Sequence, residues 1–299
     1  RFGVEQRSKL ISSKENNVPD LLFMTATPIP RTTALTVYGD LDQSVINELP
    51  KGRLKVSTLF LEGSDDSKNQ IYKIIKKHIE NKSQIFVVCP FIDESEKLDI
   101  KAAESVYREF KKEFSSYKVE ILHGRLDSSN KENIMKRTKE GDIDILISTV
   151  VIEVGIDIPN ASLMIIESAE RFGLSQLHQL RGRVGRGTKE SECILHLSEG
   201  KKIDTITEEG RQRIDAIVKT TDGFKIAEVD FQIRGEGTVL GGKQSGASEM
   251  KIANLRTDGE LLLTAQEIFN DSQSDLLFKE TLLNEANIFL PHYKKLLFG

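Results

Sequence analysis

The stretch Gln84-Ile85-Phe86-Val87-Val88-Cys89 decides the fold, because its apolar side chains follow one another without interruption. A strand with one solvated face alternates apolar and polar residues, whereas a strand buried on both faces is apolar throughout. The stretch therefore predicts an interior strand of a parallel sheet that is covered on both sides. Five further β-rich runs accompany it, at 54–61, 118–122, 143–148, 162–167 and 193–197.

Helices are predicted between these strands. The segment 66–81 has one apolar face built from isoleucines at helical spacing, Ile71, Ile74, Ile75 and Ile79. A second helix is predicted over 94–114 and a third over 129–140, where Ser129 and Glu132 are expected to form a capping box. Repeated strand–helix units predict an α/β fold with helices on both faces of a parallel sheet. Ligands of such sheets bind at the carboxyl ends of the strands.

The alternation of strands and helices covers only part of the chain. We expect one domain over 51–198, preceded at 1–50 by an incomplete strand–helix unit, whose strand is predicted over 21–24, and by a linker that includes 39–53. After it, we expect a helical hairpin and a glycine-rich loop over 199–250 and a helical extension over 251–299. The opening unit is too small to form a core of its own, so we expect the chain to be a fragment of a longer protein.

Composition narrows the class of protein. The chain has 299 residues and a net charge of −4 at neutral pH, which argues against a broadly basic nucleic-acid coat protein but allows a local basic strip. Its two cysteines lie in apolar runs and predict neither a disulfide scaffold nor a zinc site. No apolar run is long enough for a membrane helix. We therefore expect a cytoplasmic protein with no membrane partner and no metal site of its own.

The strongest chemical signal is the stretch Gln179-Leu180-Arg181-Gly182-Arg183-Val184-Gly185-Arg186. Glycines and arginines at this spacing make a poor core helix, and guanidinium groups bind phosphate oxygens through paired hydrogen bonds. The wider segment 171–189 holds five basic residues and no acidic one. Two interpretations stay open at this point: a polyanion-binding strip, or a solvated basic face that binds an acidic partner.

The stretch resembles motif VI of superfamily-two helicases, which implies that Arg183 and Arg186 act as arginine fingers in ATP hydrolysis and that Gln179 contacts the nucleotide. Segments resembling the other motifs occur in the family's order. By this resemblance, residues 149–157 match motif V, with Gly155 and Asp157 near the nucleotide and Thr149 and Glu153 near the nucleic acid. The resemblance implies further nucleic-acid or coupling residues, which are Thr25, Ala26, Thr27, His123, Gly124 and Arg125.

The residues after 198 resemble the translocation motif shared by the RecG family and the transcription-repair coupling factors, a helical hairpin followed by a loop. The matching positions are Arg213 in the hairpin and Arg234 and Gln244 in the loop. The downstream segments 251–255 and 258–263 resemble the RecG family in particular. The resemblance implies RecA-like domains, so 1–50 would be the remnant of the first and 51–198 the second.

The resemblance implies an ATP-dependent helicase that translocates on double-stranded DNA and remodels branched DNA in recombination and repair. Its cofactors would be ATP and Mg²⁺, held mainly by the first domain, because neither a P-loop nor a DExH box occurs in these residues. The fragment alone is therefore predicted not to hydrolyse ATP. Two alternatives stay open: a transcription-repair coupling translocase and, for the isolated chain, a non-enzymatic DNA-binding module. The sequence does not identify protein partners.

Overall fold

A computed structural model describes Leu22, Met24, Glu48 and the ranges 44–46, 53–90, 96–149, 158–234, 259–272 and 275–289. It contains a six-stranded sheet in the order β1-β6-β5-β2-β4-β3, and every strand pairs in parallel with its neighbours. The prediction of a parallel α/β sheet is confirmed. The strands are β1 (Ser57–Leu61), β2 (Gln84–Cys89), β3 (Val119–Leu122), β4 (Ile145–Thr149), β5 (Ala161–Glu167) and β6 (Glu192–His196).

Eight α-helices lie within the described ranges. The first three connect consecutive strands as predicted. The fourth lies between β5 and β6, and the next two follow the last strand of the sheet. The helices are α1 (Asp65–Glu80), α2 (Glu96–Glu113), α3 (Ser128–Lys139), α4 (Leu174–Arg181), α5 (Glu208–Lys219), α6 (Gly223–Arg234), α7 (Gly259–Asp271) and α8 (Leu276–Phe289).

Burial follows the position of each strand in the sheet. All six residues of β2 and all five of β4 are buried, whereas the edge strand β1 has no buried residue. Successive residues of β2 enter different cores: Ile85 and Val87 pack with α1 and α2, and Phe86 and Val88 pack with α3 to α6. Because successive side chains of a strand point to opposite faces, these two cores hold the helices against opposite faces of the sheet. Each fully buried isoleucine or phenylalanine stabilises the fold by about 1.5–3 kcal/mol.

The start of α3 differs from the prediction. The residue that caps α3 is Asp127, whose carboxylate accepts a hydrogen bond from the backbone N–H of Asn130 at 2.9 Å. The predicted capping box of Ser129 and Glu132 was wrong, because both residues already lie inside the helix. An aspartate at this position satisfies a free N–H and complements the positive end of the helix dipole.

Charged side chains flank the second edge strand, β3. Arg137 of α3 contacts Glu120 at 2.8 Å and Asp142 at 2.9 Å, and Asp142 also pairs with Lys118. These partly exposed pairs contribute little stability individually. Charged groups along an edge strand do, however, disfavour pairing with another chain.

The chain divides into two compact units, and the sheet with α1 to α5 and most of α6 lies in the unit that includes 41–233. The other unit includes 234–299, where α7 and α8 expose apolar side chains such as Leu261 and Leu277. The domain limits at 50, 198 and 250 stay predictions.

Leu22 and Met24 are exposed and outside any strand, so the strand predicted over 21–24 was wrong at those positions. None of the described helices has the length and hydropathy that a membrane crossing requires.

A close backbone approach joins the ends of β1 and β6. Gly63 donates to the carbonyl oxygen of Lys201 at 2.9 Å, and its own carbonyl accepts from Gly200 at 2.7 Å. A Cβ at Gly63 would lie 1.9 Å from the carbonyl oxygen of Ser198. No side chain fits there unless the two turns separate.

We predict that Gly63→Ala destabilises the protein by at least about 1–3 kcal/mol, the usual cost of overpacking, because the clash is with backbone atoms. Urea unfolding of the purified protein followed by circular dichroism measures the change. Gly124→Ala is the matched control, since a Cβ at Gly124 meets no atom within 4 Å. Equal stability of the two variants would contradict the proposed close packing at Gly63.

Candidate functional site

The first candidate region lies at the carboxyl ends of β3 and β4. Leu122 pairs with Ser148, so His123, which follows β3, and Thr149, which ends β4, lie at the same edge. Nδ1 of His123 and Oγ1 of Thr149 are buried, and neither has a hydrogen-bond partner within the described ranges. Buried polar atoms are nearly always paired. Two unpaired atoms at the ligand-binding edge of a parallel sheet therefore mark a place where a ligand can supply hydrogen bonds.

Cationic side chains surround this edge. Gly124 and Arg125 are exposed, and Nζ of Lys131 donates to the carbonyl oxygen of Gly124 at 2.5 Å. Burial lowers the pKa of His123, and the charges of Lys131 and Arg125 lower it further against the opposing effect of Glu104. The edge thus combines a neutral imidazole and a hydroxyl with cations, and this set suits a phosphate group.

The second candidate region is the turn between α4 and β6, residues 182–187, which we call the arginine loop. It carries Arg183, which is half-buried, and Arg186, which is exposed. Gly185 has a φ of +71°, a left-handed conformation that favours glycine. A Cβ there would also lie 2.7 Å from Cγ2 of Val56. The shape of the loop therefore depends on a glycine at this position.

Two basic residues outside the arginine loop hold its backbone and its exit. Arg53 donates from Nε to the carbonyl oxygen of Gly185 at 3.1 Å and from Nη2 to that of Gly182 at 3.3 Å. Lys189, just after the loop, donates from Nζ to four oxygens at 2.9–3.2 Å, which belong to Asn81, Lys82, Ser83 and Asn160. Sequence analysis missed both roles, because the acceptors are mostly backbone carbonyls and leave no pattern in the sequence.

The arginine loop also contacts the chain that follows 149–157. A Cβ on Gly187 would lie 2.5 Å from the carbonyl oxygen of Pro159, so the two backbones touch. Gln179 is half-buried on α4, one turn before the loop. The arginine loop therefore lies against Pro159, and Gln179 lies on the helix that leads into the loop.

Arg181, at the end of α4, is almost completely buried, with 3% of its surface exposed. Its Nη1 donates to the carbonyl oxygens of Ile217 at 2.6 Å and Thr220 at 2.9 Å. These carbonyls belong to the C-terminal end of α5, where a cation is favourable because the helix leaves carbonyls unpaired and carries negative partial charge. Arg181 therefore does not belong to the basic surface predicted over 171–189, since it lies in the interior, and the binding role of the other basic residues stays a prediction.

Two further polar contacts attach the hairpin of α5 and α6 to α4 and the turn before it. Arg213, a predicted coupling residue, donates from Nη1 to the carbonyl oxygen of Phe172 at 2.9 Å. Ser175 of α4 donates to the carboxylate of Asp230 on α6 at 2.7 Å. Apolar side chains of α5 and α6 enter the same core as those of α4. The base of the hairpin and α4 are thus packed together within one unit.

His178 completes this contact. Its Nδ1 lies 3.1 Å from Nη2 of Arg181. Burial, with the adjacent charge of Arg181, lowers the pKa of His178 to about 4, against the opposing effect of Asp222. The imidazole is therefore neutral at physiological pH, and its Nδ1 accepts a hydrogen bond from the guanidinium. This adds an acceptor for a buried cation without burying a second charge.

Several predicted site residues lie outside the described ranges: Thr25, Ala26, Thr27, Glu153, Gly155, Asp157 and Gln244. Arg234 ends α6, and the structure describes its backbone only. Within the part of the chain that the structure describes, no three His, Cys, Asp or Glu side chains come together as a metal site would require.

Comparison with known proteins assigns the class first. Residues 66–188 match the model of the helicase conserved C-terminal domain, which covers the sheet from α1 to the arginine loop. Residues 220–285 match the C-terminal part of domain 3 of the ATP-dependent DNA helicase RecG. The chain thus contains a helicase C-terminal domain followed by a RecG-type segment, and both matches agree with the resemblances read from the sequence.

Individual relatives point to the same family. The chain is 47% identical to the ATP-dependent DNA helicase RecG of Synechocystis over 268 residues, 89% of this chain and 31% of that protein. It is 44% identical to RecG of Bacillus subtilis over 282 residues, 94% of this chain and 40% of that protein. A solved structure of RecG bound to a three-way DNA junction matches with a TM-score of 0.60 and 43% identity, over 79% of this chain and 30% of that one.

The predicted resemblance to the RecG family of helicases is confirmed by these matches. It spans 31% and 40% of the length of the two relatives named above. In these relatives and in the solved structure, the matched part corresponds to the C-terminal region.

We predict that Arg181→Met destabilises the protein by about 2–4 kcal/mol, because it leaves the buried carbonyls at the end of α5 without a donor. Urea unfolding measures the change. Arg171→Met is the matched control: Arg171 is exposed, so its substitution is expected to change stability by less than about 0.5 kcal/mol. A cost for Arg181→Met no larger than that of the control would show that the guanidinium does not hold α4 to α5.

Proposed function

We propose that this chain is the C-terminal motor part of a longer ATP-dependent DNA helicase that translocates on double-stranded DNA and remodels branched DNA, such as stalled forks and Holliday junctions. The proposal is carried by Arg181, which directly precedes the arginine loop and is hydrogen-bonded to the end of α5 in the hairpin of α5 and α6. The names of the RecG relatives support an ATP-dependent DNA helicase, and the three-way junction in the solved RecG complex supports branched DNA as the substrate.

For ATP, the proposal assigns Arg183 and Arg186 to the γ-phosphate. Guanidinium groups stabilise the negative charge that develops there during phosphoryl transfer. An exposed arginine on a backbone that other residues already hold suits this role, because a finger must reach a nucleotide on a neighbouring domain. Gln179, Gly155 and Asp157 are assigned to the nucleotide as well.

Mg²⁺ and the remaining phosphate contacts are assigned to a first RecA-like domain outside this chain. The described residues offer arginines and polar groups for the outer side of a nucleotide. They offer no carboxylate cluster for the metal. The domains would therefore share the work, with the first holding the nucleotide and metal and the second supplying the finger.

For DNA, the proposal assigns the sheet edge with His123, Gly124, Arg125 and Thr149 to the phosphate backbone, together with Glu153 and the segment 25–27. Contacts of this kind are independent of base sequence and weaken as salt rises. A helicase that acts on any sequence needs such contacts. Arg234 and Gln244 are assigned to the DNA-gripping loop that follows α6.

Arg213 is assigned to coupling rather than to direct DNA contact, because its Nη1 donates to a carbonyl oxygen before α4. In the proposed motor, ATP binds in a cleft between the two RecA-like domains. Closing this cleft on ATP would move α4 together with the base of the hairpin, and hydrolysis would reverse the movement. Repeated closing and opening would then advance the protein along the duplex. With DNA as the substrate, we also infer a cytoplasmic location.

The first test measures ATP hydrolysis by the full-length protein without nucleic acid and with linear duplex, forked DNA, four-way junction or structured RNA. We expect forked and four-way DNA to stimulate hydrolysis more than linear duplex. Equal stimulation by any duplex, together with binding to RNA polymerase, would instead indicate a transcription-repair coupling translocase. Absence of stimulation by any DNA would refute the motor function.

We further predict that Arg186→Ala in the full-length protein lowers the kcat of DNA-stimulated hydrolysis by about 10³-fold or more, as removal of an arginine finger does. The Kd for forked DNA should stay within about threefold, because the phosphate-binding edge is intact. Arg108→Ala, an exposed arginine on α2 across the sheet, is the control and should hydrolyse normally. If Arg186→Ala loses DNA binding instead, this arginine belongs to the DNA surface.

A further inference from the structure

We propose that Arg53 is a positioning residue for the arginine finger, one that ties the chain arriving from the first RecA-like domain to the backbone that carries Arg186. The inference rests on the proposed function, because it takes the arginine loop as the source of the finger. It assigns a role to a residue that lies outside every helicase motif recognised in the sequence.

The contact is made at two points by one planar group. Nε of Arg53 bonds to Gly185 and Nη2 bonds to Gly182, in both cases at the carbonyl oxygen. The planar fork of a guanidinium fixes its donors relative to one another. Bonding to carbonyls three residues apart therefore fixes the width of the turn.

Arg186 meets Arg53 at one of these oxygens. Nε of Arg186 donates to the carbonyl oxygen of Gly182 at 3.2 Å, and Nη2 of Arg53 donates to the same atom at 3.3 Å. A shift of Arg53 therefore changes the acceptor on which the finger side chain rests. The effect would reach Arg186 through this shared oxygen.

The segment after Arg53 lies against the same loop. Val56, three residues on, is the side chain that a Cβ at Gly185 would strike, at 2.7 Å. Inside the loop, Val184 is fully buried. At the exit of the loop, Lys189 bonds to four oxygens. The exit is thus held independently of Arg53, whereas Arg53 links the turn to the chain that enters β1.

The place of Arg53 in the sequence gives this contact its meaning. It ends the segment 39–53 that we predict to be the linker, and β1 begins at Ser57. When two domains close on ATP, the linker between them has to change direction or tension. Because Arg53 bonds to the arginine loop, such a change would act directly on the backbone of the finger, so that the finger is aligned only when the domains are closed.

Misalignment of the arginine finger is expected to slow the chemical step of ATP hydrolysis rather than the binding of ATP. The loop needs no help from Arg53 to admit ATP, but a finger displaced by about 1 Å can cost up to about 10²-fold in rate. Removing Arg53 should therefore lower kcat and leave the KM for ATP nearly unchanged. It should also weaken preferentially the binding of a transition-state mimic, since interactions made only in the transition state are the ones that are lost.

The experiment uses the full-length protein and its variants Arg53→Ala and Arg53→Lys, with Lys55→Ala as the matched control. Lys55 is an exposed cation two residues away. Three quantities are measured: kcat and KM for ATP with forked DNA, affinity for ADP with and without aluminium fluoride, and Tm. We expect Arg53→Ala to lower kcat about ten- to a hundredfold and to lose most of the gain in ADP affinity that aluminium fluoride gives.

The same variant should keep its KM for ATP, its affinity for ADP alone and its Tm close to those of Lys55→Ala. Arg53→Lys should stay well below the wild-type kcat, because an ammonium group lacks the planar fork. A normal kcat in Arg53→Ala would overturn the proposal. So would a fall in kcat accompanied by equal losses of Tm and ADP affinity, since that pattern indicates a purely structural role.

Failure of this inference is distinguishable from failure of the proposed function. If the wild-type full-length protein shows no DNA-stimulated hydrolysis, the motor function itself is refuted. If the wild type is stimulated and Arg186→Ala is inactive while Arg53→Ala is normal, the motor and its finger stand and only the role of Arg53 is lost.

Discussion

Burial of both faces of the central strands is the constraint on which the rest of the structure depends. Because β2 and β4 have no solvated face, helices must cover both sides of the sheet, and the two candidate regions lie where strands and helices end. His123 and Thr149 lie at one such edge, and the arginine loop leads from α4 into β6. The apolar core therefore decides where the chemistry of this chain can be.

Arg181 joins two helices of that core, α4 and α5, through a buried cation. A buried guanidinium is expensive unless its donors are paired, and this one has carbonyl acceptors at the end of α5 and the neutral imidazole of His178. An apolar residue could fill the same space more simply. The arginine adds a directional connection between α4 and the hairpin, and this connection fixes the position of α4 relative to the end of α5.

The sequence predicted the parts of the molecule whose physics is periodic. The strand 84–89 was predicted with its observed limits, and the other five strands of the sheet within three residues, because the apolar run at each is a property of consecutive residues. The cap of α3 was missed by two residues, since Ser129 and Asp127 are both good caps and only the folded backbone selects one. The roles of Arg53, Arg181 and Lys189 depend on carbonyl groups far away in the chain, which no local pattern reveals.

The hairpin of α5 and α6 shares an apolar core with α4, which makes these helices one rigid body. Ile214, Ile217 and Ile226 anchor the hairpin in the core that also holds α4, and packed interiors move as bodies rather than deform gradually. If a nucleotide displaces the arginine loop as proposed, the base of the hairpin would be carried with it. Under the proposed function, a small movement at the nucleotide would therefore displace α4 and the base of the hairpin as one body, because the core between them is stiff.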